Sequence, residues 1–509
     1  MNAMEPDMGA MWARSPLCHA QLNLSGFTLS RKFEQGRRGN FMVEPVFCSP
    51  RRPAAIMTPA STAAKPAKPP KIIVLDDDPT GSQTVHGCLL LTRWDVKTLR
   101  LGLADESPIF FVLTNTRALP PDQANAVTRA ACQNLKQAIA LEGVHEFLIV
   151  SRSDSTLRGH YPIETDAIAE ELGPFDAHFL TPAFFEGGRV TRDSIHYLIV
   201  NGVPTPVHQT EFAQDSVFGF RHSYLPDYVE EKTNGKIASS QVERFLLADV
   251  RSGTRDRLMA LTHNTCVAVD AETQADLNQF AADVLVTAAQ GKRFLFRSAA
   301  SLLTALTALP PQPVAPEAMA TYVRDGKPGA VIVGSHVKKT TEQLEDLLQA
   351  PGTVPVEVNV SLLLDESSAP RTKLLHQLLH QVGEAHAQGK TPVVFTSRQE
   401  INFADTQTRL DFGAAVSGLL MDIVRGLPAD IGFLISKGGI TSNDVLSDGL
   451  SLTAARLLGQ ILPGVSVIRT PADHPQFPHL PVVLFPGNVG DRTAVAQAYL
   501  RLRNSLEPG

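Results

Sequence analysis

From Lys71 onward, short apolar runs alternate with longer stretches of helical periodicity. This alternation constrains the fold more than any other feature. The first half shows KIIVL (71–75), CLLL (88–91), IFFVL (109–113), EFLIV (146–150), TCVAV (265–269) and RFLF (293–296), with helix-like stretches such as 122–141 and 272–289. The second half shows AVIV (330–333), VPVEV (354–358), PVVF (392–395), GFLI (432–435), VSVIR (465–469) and VVLF (482–485). Amphipathic stretches near 340–350, 371–388, 410–425, 442–459 and 492–502 separate them. Apolar strands spaced by helices predict an α/β chain with mostly parallel sheets flanked by helices. LPPQPVAP (309–316) holds four prolines in eight residues and continues neither a helix nor a central strand. The expected division is therefore two domains, 71–308 and 318–509, joined by a linker at 309–317.

Composition narrows the class. Hydrophobic residues are 43% and charged residues 19% of the 509, ordinary values for a globular chain. No apolar run approaches the ~18 residues needed to span a bilayer, so no membrane association is expected. A net charge of −6 argues against bulk nucleic-acid binding, which needs a basic surface. Five scattered cysteines, with no Cys-x-x-Cys pair, suit a reducing cytoplasm. Residues 1–70 differ: nine Lys/Arg against four Asp/Glu, and a tail rich in Pro, Ala and Lys. Such a segment cannot bury a core and reads as a disordered leader. It has no apolar signal-peptide core, and a transit peptide competes with the preferred reading, a start at Met57.

In open parallel sheets, ligands gather beyond the carboxyl ends of the strands. The first strand ends in Asp76-Asp77-Asp78-Pro79-Thr80-Gly81-Ser82-Gln83-Thr84. Adjacent carboxylates there suit a magnesium ion, a substrate hydroxyl or a proton acceptor, and Ser82 or Thr84 could cap a helix. The same letters satisfy Asp-x-Asp-x-Thr, the opening of the haloacid-dehalogenase-type phosphatases, with VLTNT (112–116) like their second motif. No convincing later lysine and paired-acid motif follows. EFLIV runs into Ser151-Arg152-Ser153-Asp154-Ser155-Thr156-Leu157-Arg158-Gly159-His160, a loop whose arginine forks suit a carboxylate and whose Asp and Ser suit hydroxyls.

The second half holds three junctions of strand, small residues and helix: Gly334-Ser335-His336, Lys437-Gly438-Gly439-Ile440-Thr441-Ser442, and Pro486-Gly487-Asn488-Val489-Gly490-Asp491. The first leads to an expected capping box at Thr340 and Gln343. Glycines let backbone N–H groups approach an anion, so the set points to nucleotide phosphates. None is a Walker pattern or G-x-G-x-x-G. His160, His336 and His474 lie nearby and read as satisfied polar residues rather than ligands.

These segments, in order, resemble the four-carbon acid sugar kinases over about residues 71–505. Asp77-Asp78-Pro79-Thr80-Gly81 is similar to the family's Asp-Asp-Phe-Thr-Gly, and Asp154-Ser155-Thr156-Leu157-Arg158-Gly159 matches its Asp-Ser-Thr-Leu-Arg-Gly. Gly334-Ser335 matches its Gly-Ser. Gly438-Gly439-Ile440-Thr441-Ser442 and Pro486-Gly487-Asn488-Val489-Gly490 stand for its Gly-Gly-Glu-Thr-Ser and Ser-Gly-Asn-Phe-Gly, with Ile440, Pro486 and Val489 as departures. The resemblance implies an N-terminal sugar-acid domain and a C-terminal nucleotide domain, with ATP and Mg²⁺ as cofactors. It implies ATP contacts at Ser335, Gly438, Gly439, Ile440, Thr441, Gly487 and Asn488. Substrate contacts are expected at Asp77, Thr80, Arg152, Ser155 and Arg158, with Arg158 first and Arg152 second for the substrate carboxylate. Asp78 or Asp154 is expected to orient the hydroxyl and accept its proton. The metal ligands stay open, a homodimer stays open, and a phosphatase or a non-catalytic nucleotide-binding or effector protein is the rival reading.

Overall fold

The computed structural model describes residues 69–503, apart from 336, 365–367, 399–400, 402 and 404–405. The leader reading falls almost wholly outside the described residues, as does His336. The N-terminal strands are β1 (Lys71–Asp76), β2 (Leu89–Leu91), β3 (Ile109–Leu113), β4 (Phe147–Arg152), β5 (Ala177–Thr181), β6 (Arg189–Arg192), β7 (Ile195–Val200), β8 (Val203–Pro206), β9 (Glu243–Phe245), β10 (Thr265–Val269) and β11 (Phe294–Ser298). The C-terminal strands are β12 (Ala330–Val333), β13 (Thr353–Val358), β14 (Thr391–Thr396), β15 (Leu434–Lys437), β16 (Ala454–Leu462), β17 (Val465–Arg469) and β18 (Pro481–Phe485). Helices such as Pro121–Glu142, Gln274–Ala288, Lys338–Leu348 and Thr406–Arg425 connect them. Among the described residues, no helix is long and apolar enough to cross a membrane.

The two halves share one sheet. Its strand order is β13-β14-β12-β15-β18-β17-β16-β2-β3-β1-β4-β11-β5-β10-β9. Pairing within each half is mostly parallel, as the alternation predicts. The seam is antiparallel, with Ala454, Ala455 and Arg456 of β16 opposite Leu91, Leu90 and Leu89 of β2. Arg456 locks it with a two-toothed ion pair to Asp105 at 2.7 and 2.9 Å. β16, β17 and β18 pair antiparallel, so the parallel strands of the two halves run in opposite senses.

Three local expectations need correction. Residues 442–459 are not one helix: a short helix, Gly439–Asp444, and a wider turn, Val445–Gly449, lead into strand β16. Its run ARLLGQIL is leucine-rich, hence helix-like in composition, but pairing with β2 and β17 decides it. The capping box at Thr340 does not form. The helix Lys338–Leu348 starts after Val337 without a side-chain cap, and buried Gln343 donates instead to the carbonyls of Val489 (3.1 Å) and Asp491 (2.8 Å). Ser82 and Thr84 cap no helix; Thr84 donates its hydroxyl to Ala300 O.

Gly81 shows how tightly the first turn is built. A Cβ there would lie 2.1–2.4 Å from the carboxyl group of Asp76, which is itself fully buried. Neither group can give way, so Gly81→Ala is expected to cost about 1–3 kcal/mol, typical of overpacking. Denaturant unfolding of the variant checks this, and wild-type stability would count against the tight turn.

Candidate active site

β1 lies between β3 and β4, with Asp76 opposite Leu113 on one side and Arg152 on the other. This register sets the acidic turn beside the Arg152–Gly159 loop. Asp76 is 0% exposed, meets Arg152 Nη1 at 3.3 Å, and leaves its Oδ2 without a hydrogen-bond partner. Burial pushes its carboxyl up to about 7, and Arg152 offsets part of that rise. The phosphatase reading would need this residue as an open nucleophile, and its burial against Gly81 forbids that.

Asp77 accepts from Arg117 Nη2 at 2.5 Å and from Ser153 Oγ at 2.7 Å. Burial opposes its charge, but Arg117 and its hydrogen bond win, and the carboxyl sits below its ordinary range. Asp78 accepts through Oδ1 from Thr80 N at 2.8 Å and from the Thr80 hydroxyl. Asp154 is held by Arg158 Nε at 2.8 Å, by the Thr156 hydroxyl, and by Arg117 at 3.8 Å. Burial opposes its charge too; Arg158 first and Arg117 next overcome that and hold it far below the carboxylate range. So strongly stabilised an anion is a poor proton acceptor.

The second half supplies the glycine turns. Gly438 adopts φ +113°, which favours glycine, and its N–H donates to Phe485 O at 2.9 Å. A Cβ on Gly438 would lie 3.4 Å from the Ser335 Cβ, so the first two junctions touch. Lys437 joins the second to the third: its buried Nζ donates to Pro486 O at 2.6 Å and to Gly487 O at 3.2 Å. Ile440, in place of the expected glutamate, is 65% exposed. The helix after the third junction begins only at Ala494, so Pro486–Asp491 is a loop.

Burial, aided by Lys339, lowers the Lys437 ammonium to about 7, against an ordinary 10.5. Between those values the unfolded chain keeps a proton that the folded chain gives up, so this group adds stability as pH rises. The melting temperature of wild type minus that of Lys437→Met is expected to rise from pH 7 to pH 9. A constant difference would show that the amine titrates normally.

The halves meet at the two turns. A Cβ built on Gly439 would fall 2.5 Å from Asp78 Oδ2, so this carboxylate lies directly against the glycine turn. Beside them opens a cleft of about 300 Å³, lined by Thr80, Gln83, Arg117, Arg152, Asp154, Ser155, Phe184 and Arg189, and by Asn488 and Val489 from the other half. The structure thus brings Thr80, Arg152, Asp154, Ser155 and Asn488 to one cleft, with Asp77 behind its floor. Arg158 lines an adjoining pocket among Leu157, Tyr161, Leu180 and Tyr228, with Asp154 between it and the cleft. Its guanidinium is taken by Asp154 and stacks 4.9 Å from the Phe212 ring centre. His160 donates its Nε2–H to Thr116 O and Leu119 O, and His474 donates its Nε2–H to Leu450 O, as satisfied polar residues do.

Sequence reasoning passed over Arg117, Gln83 and Arg189. Arg117 had a usable signal, because it follows β3 at the same sheet edge as the acidic turn. Arg189 had none, because it opens the β6–β8 hairpin, which the apolar-run pattern does not show.

Two family models match in tandem: a sugar-binding N-terminal domain over residues 72–306 and a nucleotide-binding C-terminal domain over residues 330–495. The chain belongs to the four-carbon acid sugar kinase family. Within it, the chain is 27% identical over 314 residues to a D-erythronate kinase of Heliobacterium modesticaldum, covering 58% of this chain and 64% of that one. It is 30% identical over 165 residues to a D-threonate kinase of Bordetella bronchiseptica, covering 31% and 38%. The chain thus spans less than two thirds of either curated relative. A Salmonella typhimurium protein, solved under a provisional tRNA synthase label, superposes with TM-score 0.60 at 18% identity over 85% of this chain and 98% of its own. A Haemophilus influenzae protein from a domain family of unknown function gives 0.56 at 18% identity over 84% and 100%. At that identity the two structures support the fold of this family member alone.

Proposed function

We propose that this family member transfers the terminal phosphoryl group of MgATP to the terminal hydroxyl of a four-carbon sugar acid of the erythronate or threonate class, giving the 4-phosphate. The observation that carries this is the placing of Asp78 against Gly439. It puts a carboxylate from the sugar-binding half where the end of a nucleotide would meet its acceptor. The backbone N–H groups of Gly439 to Thr441, with Ser335 and the Gly487–Asn488 loop, hold the phosphates. Thr80, Ser155 and Asp154 take the sugar hydroxyls, and Arg117 keeps Asp77 and Asp154 charged and in place. Asp78 orients the reacting hydroxyl and accepts its proton; both carboxylates lie near Arg117, at 3.7 and 3.8 Å, but Asp154 is also hydrogen-bonded by Arg158 at 2.8 Å and is the weaker base. Phosphoryl transfer asks for positioning and charge neutralisation more than covalent help, and a cleft closed by both halves supplies that.

Among the described residues, no cluster of three or more His, Cys, Asp or Glu side chains could hold a metal. A magnesium ion bound with the nucleotide would supply charge neutralisation on its phosphates. Incubation with ATP, Mg²⁺ and D- and L-erythronate and threonate tests the reading. Acid-dependent ADP release with a 4-phosphate product is expected. No turnover across the panel would overturn it, and nucleotide-free hydrolysis of the 4-phosphate would favour a phosphatase.

A further inference from the structure

We infer that Arg189 is the residue that recognises the carboxylate of the substrate, and so selects acids over neutral polyols. The inference rests on the kinase reading above and names the group that reads the acid end of its substrate.

Arg189 is 6% exposed and lines the interdomain cleft. Its Nη1 donates to Gly187 O, its Nε has no partner, and its guanidinium lies 5.9 Å from the Phe184 ring centre. Among the described residues it makes no ion pair, and burial lowers its pKa. A buried guanidinium without a counter-ion is costly, and an incoming anion relieves that cost. Its planar fork fits a carboxylate through two parallel N–H bonds.

The other arginines near the cleft are already matched. Arg117 is bound to Asp77 at 2.5 Å, Arg152 to Asp76 at 3.3 Å, and Arg158 to Asp154 at 2.8 Å. A substrate carboxylate at any of them would displace a directly paired protein carboxylate; at Arg189 it would meet only the longer-range charges of Asp154 and Glu211. A nucleotide phosphate is the rival anion. Against it, Arg189 opens a hairpin of the sugar-binding half, and of the residues given to the phosphates Asn488 alone lines this cleft, with none from the 438–441 turn. Phe184, the ring beneath Arg189, also abuts the other half: a Cβ on Gly464 would lie 3.2 Å from Phe184 and 3.3 Å from Val489. The carboxylate subsite is thus roofed at the domain seam, where closure strips its water and strengthens the pairing.

The test is titration calorimetry of wild type, Arg189→Lys and Arg189→Met with D-erythronate, D-threonate and, separately, ATP. The Met variant is expected to bind the acid that wild type binds on the order of 10²- to 10³-fold more weakly, with its ATP affinity within about twofold. The Lys variant should fall between, because an ammonium keeps the charge and loses the fork. If the Met variant does not fold, the Lys variant decides alone: unchanged acid affinity overturns the proposal. So does an ATP affinity that falls in step with acid affinity, or a wild type that binds neither acid. Failure of the kinase reading is separate: it would show as acid binding that depends on Arg189 without ATP-dependent turnover.

Discussion

Asp78→Asn is expected to lower kcat by on the order of 10³-fold with little change in melting temperature. Asparagine keeps an oxygen for the 2.8 Å bond from Thr80 N, and the Asp78 side chain is 16% exposed, so the turn survives the exchange. What is lost is the negative charge beside Gly439 and its capacity to take a proton. General-base assistance is worth about 10²–10⁴-fold, and asparagine supplies none of it. Steady-state ADP release, with thermal melts alongside, measures both quantities. A stable variant keeping more than a tenth of wild-type kcat would remove Asp78 from the chemistry and leave it a loop anchor. The same exchange at Asp154 makes a useful contrast. It should destabilise the protein, because Arg158 would lose the buried carboxylate that it hydrogen-bonds at 2.8 Å.

Gly439→Val should nearly abolish activity by two routes. The branched side chain would fill the space through which a phosphate approaches the backbone N–H groups. It would also press on Asp78 Oδ2, 2.5 Å from the first added carbon. ATP affinity and kcat are therefore both expected to fall, with kcat/KM for ATP down by roughly 10³-fold or more. Gly439→Ala adds only the Cβ and should show a milder loss of the same kind. Weaker ATP binding with normal kcat would mean that the turn holds phosphate but does not touch the acceptor side. Normal kinetics in a folded valine variant would place the nucleotide elsewhere.

Much of this site was legible before any coordinates, for a physical reason. A parallel sheet gathers ligands at its carboxyl ends, so charged or glycine-rich residues just past an apolar run are informative. That rule found Asp77, Asp78 and Thr80 after β1, Arg152 to Ser155 after β4, and the turns after β12, β15 and β18. It could not rank the arginines. Arg152 and Arg158 stand in a suggestive loop, yet their forks are occupied by Asp76 and Asp154, and pairing of that kind is set by packing across the sheet. Arg189 sits in a hairpin of mixed residues with partial exposure, where neither period two nor period 3.6 stands out. β16 misled for a related reason. Its apolar residues show no strict alternation, a pattern that short strands and buried helices share, and leucine favours the wrong answer. Nor could periodicity show that the two halves share a sheet, because the seam needs only three residues from each side.

That seam bears on how the protein could be divided. Cutting within residues 309–317 looks natural from the prolines, yet it would strip β2 from one fragment and β16 from the other of their antiparallel neighbour. Each fragment would then present a bare row of unsatisfied N–H and C=O groups, along Leu89–Leu91 on one and Ala454–Arg456 on the other, a template for indiscriminate strand addition. Fragments made separately would tend to clump with their own kind, and co-production, where each edge finds its proper mate during folding, is the sounder route to a split form of this protein.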